Sequence, residues 1–528
     1  MNFKNGNSQE VDEKFAAFLT NANAIRAVAS AVEGTIGPKG LDIMLVDRFG
    51  EVTITNDGVT ILKLMDINHP AAKMLINIAK AQQEEVGDGT TTATIMAGTM
   101  VSEGVNQILR GVPVAKVIEG IKYGVRKAQE LLAAKSIPVK GIDDPALRDI
   151  AFIAGREHED IAELVTRAAK LVGEEKLKEK NFKLRDIVMA REGAKNEVFL
   201  GVIVDREKVN KQMPKEVEDV RVAVIDDALE PEQIEEEALG TESGFARYMA
   251  LQEEFRENLK KLIDLKVNLV LVGKGISAEA EEMLTDAGVI ALARVSSKDL
   301  EKVAEHTGAR IMKKVGLKKS LDEIKSYIGR AKKAYEDEKL EHWRLEGGEG
   351  KPMATIVVGA ATAEIVGERE RIAKDAASSL QAAVRGGVLP GGGAVEVAVA
   401  RELEREKEKL KGMASYGVDC VIAALKRPLS QIVYNAGFNP LEKLEEVIYT
   451  QAEKNSDAIG VNCDTGELAD MAELGVLDPA PVKIHAIKAA GEIAQAILRI
   501  DTIIKKRDEG SAARGNAEPA AGVGEMDF

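Results

Sequence analysis

Val86-Gly87-Asp88-Gly89-Thr90-Thr91-Thr92-Ala93 joins two stretches of helical pattern, Ala71–Glu85 and Thr91–Leu109. Glycines let a backbone curl until its N–H groups face an anion, and the N-terminus of the following helix adds a favourable dipole. Thr90, Thr91 and Thr92 supply three further donors. Asp88 inside such a nest repels phosphate unless a cation lies between them, and Mg²⁺ bridging the carboxylate and the phosphates resolves that conflict. Taken alone, the motif reads more simply as a glycine turn with a threonine helix cap. The rest of the chain has to decide.

Three other loops have a similar character. They are Gly37-Pro38-Lys39-Gly40, Asn56-Asp57-Gly58-Val59-Thr60 and Gly391-Gly392-Gly393. The signature GxxxxGK[ST] is absent, which excludes an ordinary P-loop ATPase. Asp57, Asp88 and Asp375, from three distant stretches, are candidates for a carboxylate cluster around a metal and a water.

Composition bounds the possibilities. The chain has 528 residues, against roughly 100–200 per domain, so three or four domains are expected. Lys plus Arg is 72 and Asp plus Glu 87, a net charge of −15. That charge repels phosphate backbones and anionic lipid, so neither nucleic acid nor a membrane surface is an expected partner. Aromatic residues are only 4% of the chain while 45% is hydrophobic, which predicts aliphatic cores. Cys420 and Cys463 form no metal or disulfide pattern and suit a reducing compartment. No apolar stretch approaches the roughly 20 residues of a membrane span. The opening MNFKNGNSQEVDEKF has no apolar core of an export signal, so the expectation is a soluble, cytoplasmic protein.

Along the chain, the first block to about Ile142 reads as helical, with helices at Ala22–Val32, Ala71–Glu85, Thr91–Leu109 and Val114–Lys135. Ile43–Val46 and Val52–Thr55, separated by a polar Asp47–Glu51, predict a hairpin. From Val202 to about Gly359 the texture becomes strand, turn, helix, with strands at Val220–Ile225, Val267–Val272, Val289–Ala293 and Thr355–Val358, which is α/β alternation. A helix is expected at Glu364–Arg385, then helices to about Lys506 and a mobile glycine- and alanine-rich tail. Glu230–Leu265 stands apart. It is acidic and ends in a long helix whose Tyr248, Leu251, Phe255, Leu259 and Leu262 form one stripe. The simple reading is a core-facing stripe; the sharper one is a protruding element that meets a neighbour or a client.

These residues together resemble the chaperonins, and the archaeal and eukaryotic-cytosolic (group II) type more than the type that needs a separate lid protein. The stretches that carry the resemblance are GTIGPKGLDIMLVD, VTITNDGVTILK, INHPAAKM, VGDGTTTATIMAG, KDAASSLQAAVRGGVLPGGGAVEV and VLDPAPVKIHAIKAAGEIAQAILRID, which occur in the family's order from one end of the chain to the other. The resemblance implies a multidomain α and α/β fold. Residues 1–141 and 392–528 would form a helical equatorial domain, and 142–201 with 360–391 a small α/β intermediate domain. Residues 202–359 would form an α/β apical domain with a helical lid protrusion at about 230–265.

It also implies an ATPase that encloses non-native polypeptides in a double ring of identical subunits, about eight per ring by cyclic symmetry, with no separate lid partner. ATP and Mg²⁺ are the implied cofactors, with K⁺ near Thr35 and Thr91. Asp88 would hold Mg²⁺, and Gly89, Thr90, Thr91 and Thr92 the phosphates. Asp57 and Asp375 would orient and polarise the attacking water. Ile36, Gly37 and Pro38 would line the nucleotide, Gly392 and Gly393 the ribose, and Asp478 and Lys483 would reach it from the far side.

The chain departs from the family at several points, which suggests a divergent branch. Ile153-Ala154-Gly155-Arg156 replaces a Ser/Thr-rich segment with a lysine, so nucleotide sensing passes to Arg156. Asp478 stands where many relatives have Glu, Pro390 precedes the triple glycine, and the protrusion differs from the common archaeal pattern.

Two alternatives belong to other classes. Val267–Val272 followed by Gly273-Lys274-Gly275-Ile276-Ser277-Ala278 looks like a dinucleotide fingerprint, with Arg294 in place of the usual acid, and would suit an NADP-dependent oxidoreductase. Tight strand–helix packing explains the same glycines. An ATP-binding scaffold without foldase activity is the other alternative. The five histidines show no metal spacing, and His158 is expected on a solvated helix. Trp343, the only tryptophan, reads as a packing anchor.

Overall fold

The computed structural model describes residues 7–232 and 241–501. Three groups of elements follow one another outward from a helical body. In that body, helices Asn7–Glu33, Pro70–Glu85, Thr90–Leu109, Val114–Lys135, Ser415–Asn435 and Ala480–Leu498 surround one aliphatic core. The core takes Ile25, Leu75, Met96, Met100 and Ile121 from the first part of the chain and Val418, Leu425, Ile487 and Leu498 from the last. Both arms of the chain therefore build one unit. Several helices start where the sequence says they must. Asp144 and Asn439 cap the helices Pro145–Ala154 and Pro440–Lys454 with side-chain acceptors, and a proline follows where its missing N–H costs nothing. The hairpin Ile43–Val46/Val52–Thr55 forms in the register Ile43↔Thr55 to Val46↔Val52.

A second core lies between helices Pro145–Ala154, Glu159–Val172 and Ala363–Gly386 and a three-stranded sheet. In this sheet Thr355–Ala360 is central, parallel to Val188–Glu192 and antiparallel to Glu197–Phe199. The strand expected at Thr355–Val358 thus exists, but it pairs here and not with the strands that precede it. His158 stands at the residue before Glu159–Val172, without a side-chain capping bond, and does not lie within the helix.

The third unit is a six-stranded mixed sheet in the order Gly201–Val204, His342–Glu346, Gly329–Asp337, Glu216–Ile225, Leu269–Val272, Ile290–Leu292. Alternation along Glu216–Ile225 divides its two faces. Val220, Val222 and Val224 enter one cluster, and Ala223 and Ile225 the other. Trp343 lies fully buried in the first, as a packing anchor.

The acidic Glu235–Glu237 run and the tail after Asp501 lie outside the described residues. The helix Glu242–Asp264 begins at a Thr241 cap and settles the stripe in two halves. Phe255, Leu259 and Leu262 pack into the second face's core, and Tyr248 and Leu251 of the same stripe are half-buried. The stripe is thus core-facing in its C-terminal half and partly open in its N-terminal half, where Phe245 and Met249, beside the stripe, stay exposed at 57% and 49%.

The dinucleotide reading of Gly273–Ala278 fails on hydrogen bonding. A pyrophosphate needs free N–H groups, but here Gly273, Lys274 and Ser277 donate theirs to Ile225, Asp227 and Leu229. Among the described residues no helix is long and apolar enough to cross a membrane.

Candidate functional site

Gly87 and Gly89 both take left-handed backbone, with φ of 79° and 74°, which glycine adopts at no steric cost. Gly89 is the cap of helix Thr90–Leu109, so Thr90, Thr91 and Thr92 form its first turn. Thr90 is buried, and Thr91 and Thr92 are half-buried. Both carboxylate oxygens of Asp88 have a donor. Oδ1 accepts the Gly89 N–H at 2.5 Å and Oδ2 the Ser379 hydroxyl at 2.6 Å. Behind the loop, the buried Gln82 amide donates to the carbonyls of Asp88 at 2.8 Å and Val482 at 3.1 Å, while its oxygen meets His485 Nδ1 at 2.6 Å. Gln82 therefore ties the loop to the helix Ala480–Leu498.

Asp57, 7% exposed, caps the short helix Gly58–Leu64 by accepting from the N–H and hydroxyl of Thr60 at 2.9 and 2.6 Å. Gly58 presses on the phosphate loop, since a Cβ there would stand 2.6 Å from Thr91 Oγ1. Asp375 comes from the long helix Ala363–Gly386. Burial first, then the charges of Asp88 and Asp57, push its carboxyl well above the usual carboxylate range, against Arg156 and Arg185. The three predicted acids thus share one electrostatic field. Burial likewise raises Asp88, with Asp478 adding to it and Ser379, Gly89 and Lys483 opposing.

Arginines line the same side. Arg156, at a left-handed φ of 53°, donates to Glu368 at 2.8 Å, and Arg371 pairs with the same carboxylate and reaches Thr60 Oγ1 at 3.3 Å. Arg185 donates to the Gln83 carbonyl at 3.0 Å.

The remaining predicted residues lie around a short strand pair and the helix Ser415–Asn435. Strands Val388–Pro390 and Leu477–Pro479 pair, placing Leu389 opposite Asp478. A Cβ on Gly391 would stand 3.1 Å from Asp478 Oδ2. Lys483 is 8% exposed and held by Asp478 at 2.7 Å and Glu396 at 2.5 Å. Burial works against its charge, but the two carboxylates outweigh that and raise its pKa. Gly37 and Gly393 both pack on the helix Ser415–Asn435, against Ile432 and Leu429. Asn435 donates to the Ile36 carbonyl at 2.9 Å, and Pro38 beside it is exposed. Gly392 faces Met471, and Thr35 donates its hydroxyl to the Val32 carbonyl.

Asp88 and its neighbours fit a hard divalent cation. Burial raises Asp88 and Asp375, and the charges of Asp88 and Asp57 add to the rise at Asp375, a demand that positive charge meets. Among the described residues no three His, Cys, Asp or Glu side chains converge as a ready ligand set. Mg²⁺ binds through one or two carboxylates together with phosphate oxygens and water. Sequence reasoning missed Gln82, Arg185, Arg371, Ser379 and Glu396. Ser379 and Glu396 fall inside the recognised stretch KDAASSLQAAVRGGVLPGGGAVEV, Arg371 just before it and Gln82 just before VGDGTTTATIMAG, whereas Arg185 stands near no recognised motif.

A helical body built from both chain ends, with a glycine–threonine phosphate loop covered by a carboxylate-bearing helix, has the architecture of a nucleotide-driven folding machine. Comparison with known families matches residues 28–508 to the TCP-1/cpn60 chaperonin family. A thermosome subunit of Pyrococcus abyssi is 35% identical over 530 residues, covering 96% of this chain and 95% of its own length. The thermosome subunit beta of Archaeoglobus fulgidus is 36% identical over 520 residues, covering 96% and 93%. The crystal structure of a group III chaperonin in the open state superposes with a TM-score of 0.83 and 47% identity, covering 94% of this chain and all of that one. The chain belongs to the TCP-1/cpn60 chaperonin family. It is an ATP-dependent chaperonin and hence an ATPase, and the oxidoreductase alternative has no support.

Proposed function

We propose that this chaperonin hydrolyses ATP at a centre made by Asp57, Asp88 and Asp375, and that hydrolysis closes a chamber with a lid built into each subunit. The observation that carries the reading is the meeting of three separate stretches at one turn: Gly58, next to Asp57, abuts Thr91, and Ser379, on the helix that bears Asp375, donates to Asp88 at 2.6 Å. Asp88 would hold Mg²⁺, which supplies charge to the phosphates and orients them. Gly89 and the helix turn Thr90–Thr92 present N–H and hydroxyl donors to those phosphates. Asp57 and Asp375 position the attacking water and accept its proton, and the protein otherwise acts by holding groups in line. Ile36, Gly37 and Pro38 cover one side of the nucleotide. Gly392, Gly393 and Asp478 cover the other, and Lys483 holds Asp478 in place. K⁺ beside Thr35 and Thr91 would add charge at the same phosphates. Arg156 would sense the nucleotide through Glu368 and Arg371.

The unit boundaries in this reading are residues 1–141 with 392–528, then 142–201 with 360–391, then 202–359, moved so that the strand Thr355–Ala360 joins the middle unit. Helix Ala363–Gly386 belongs to the middle unit and carries Asp375. Hydrolysis therefore waits for that helix to dock, a gating step. The exposed Phe245 and Met249 on the outer half of helix Glu242–Asp264 would meet neighbouring lids or non-native clients. Higher identity to the group III structure than to either thermosome subunit supports a group III kind of subunit. A soluble, cytoplasmic double ring, about eight subunits around, follows from the same kinship.

Electron microscopy of the purified protein tests the built-in lid. Stacked double rings should close on ATP with no added protein. Rings that stay open while ATP is turned over would refute it.

A further inference from the structure

We propose that Ser379 is a positioning residue for the magnesium carboxylate: its hydroxyl orients Asp88 and makes metal binding depend on docking of the helix that carries Asp375. The inference rests on the magnesium reading of Asp88 given above. Asp375 and Ser379 are four residues apart on helix Ala363–Gly386 and so lie on one face. Ser379 is fully buried, and its Oγ donates to Asp88 Oδ2 at 2.6 Å. With the Gly89 N–H on Oδ1, a donor on each oxygen fixes the rotation of the carboxylate and still leaves each oxygen a lone pair for a metal. Ligands of bound metals are usually held by hydrogen bonds of this kind, which set their orientation.

The bond also joins two separate cores. Ser379's neighbours Ala376, Ala377 and Leu380 belong to the middle core, whereas Ala93, Met96 and Ala97, on the helix that follows Asp88, belong to the helical body. Partners 291 residues apart therefore meet at the ligand itself. The adjacent Ser378 touches the same loop differently. Its hydroxyl donates to Lys374 within its own helix, and it lies where a Cβ on Gly87 would stand, 2.3 Å from its oxygen. Only glycine at position 87 lets this helix come so close. Because the Ser379 bond exists only when the helix is docked, docking raises metal affinity, and by linkage the metal favours docking to the same degree.

The test uses the full chain, with Mg²⁺ titrated in ATP turnover and Mn²⁺ binding to the ADP complex followed by electron paramagnetic resonance. Ser379→Ala should raise both the half-saturating Mg²⁺ and the Mn²⁺ dissociation constant about 10-fold. Ser379→Thr, which keeps the hydroxyl, should restore both, and Ser378→Ala should change neither. Unchanged Mg²⁺ and Mn²⁺ dependence in Ser379→Ala, or an equal rise in Ser378→Ala, overturns the proposal. Asp88→Asn separates the two levels. If it leaves Mn²⁺ affinity intact, the magnesium reading of Asp88 falls and this inference with it. If it abolishes binding while Ser379→Ala has no effect, only the role of Ser379 falls.

Discussion

Asp375→Asn should lower ATP turnover by about 10²–10⁴-fold, the usual contribution of a positioned proton acceptor, without weakening nucleotide binding. The two effects separate because Asp375 sits among like charges. Burial, then the charges of Asp88 and Asp57, push its carboxyl well above the usual range, so a neutral side chain of the same shape adds no repulsion at the place where phosphate would enter. Adding Asp57→Asn should deepen the loss of turnover. Asparagine is the choice at position 57 because Asp57 also caps Gly58–Leu64. Asn is as good a cap as Asp, whereas Ala would cost about 1 kcal/mol of helix stability and confuse the result. Single-turnover hydrolysis, calorimetric ADP binding and ring assembly seen by electron microscopy together check the expectation. Turnover near the parent's in the double variant would remove both acids from the chemistry.

The second large effect concerns stability. Lys483→Met should destabilise the helical body by about 3–5 kcal/mol, the cost of stranding a buried charge. The stranded group is Glu396, fully buried, whose Oε1 has Lys483 at 2.5 Å and whose Oε2 has no hydrogen-bond partner. Asp478, half-buried, also loses its cation at 2.7 Å, so the nucleotide wall loosens as well. The combined variant Lys483→Met with Glu396→Gln should recover most of the loss, because removing a buried pair together is far cheaper than halving it. Urea unfolding followed at the helical transition gives the difference. A shift of Lys483→Met within about 0.5 kcal/mol, the range of ordinary surface substitutions, would show that the pair is not formed.

Local features were the readable ones. The hairpin, the glycine before Thr90, the Asp57 turn and most helix ends each depend on a few consecutive residues with fixed backbone demands, and they stand where the residues placed them; the first helix is the exception, beginning at Asn7 and not at Ala22. Thr355–Ala360 shows where that stops. An apolar, β-branched run announces a strand, but its partners Val188–Glu192 and Glu197–Phe199 lie far away in sequence, and nothing local distinguishes one sheet from another. The stripe on Glu242–Asp264 gave the correct face, yet periodicity carries no mark of the point where a helix leaves its core. The Gly273–Ala278 loop had the right letters for a dinucleotide and the wrong hydrogen bonds, since its N–H groups are spent on residues 225–229.

The site divides in the same way. Asp57, Asp88 and Asp375 were legible because acids beside glycine turns or within a recognised motif are unusual. Gln82, Ser379 and Glu396 were not, because a polar residue on a helix looks solvated until the fold buries it. Gln82 is fully buried only because Ala480–Leu498 crosses it. Lys483 was read as reaching the nucleotide, but its ammonium is committed to two carboxylates.

Cryo-electron microscopy of the protein with ADP, Mg²⁺ and aluminium fluoride is the sharpest check on whether Asp57, Asp88 and Asp375 form one magnesium-dependent centre for ATP hydrolysis. A metal should be bound to the Asp88 carboxylate, the fluoride mimic should sit at the Thr90–Thr92 turn, and a water should be held between Asp57 and Asp375. A mimic bound elsewhere, or one at this turn with Asp375 turned away from it, would exclude such a centre.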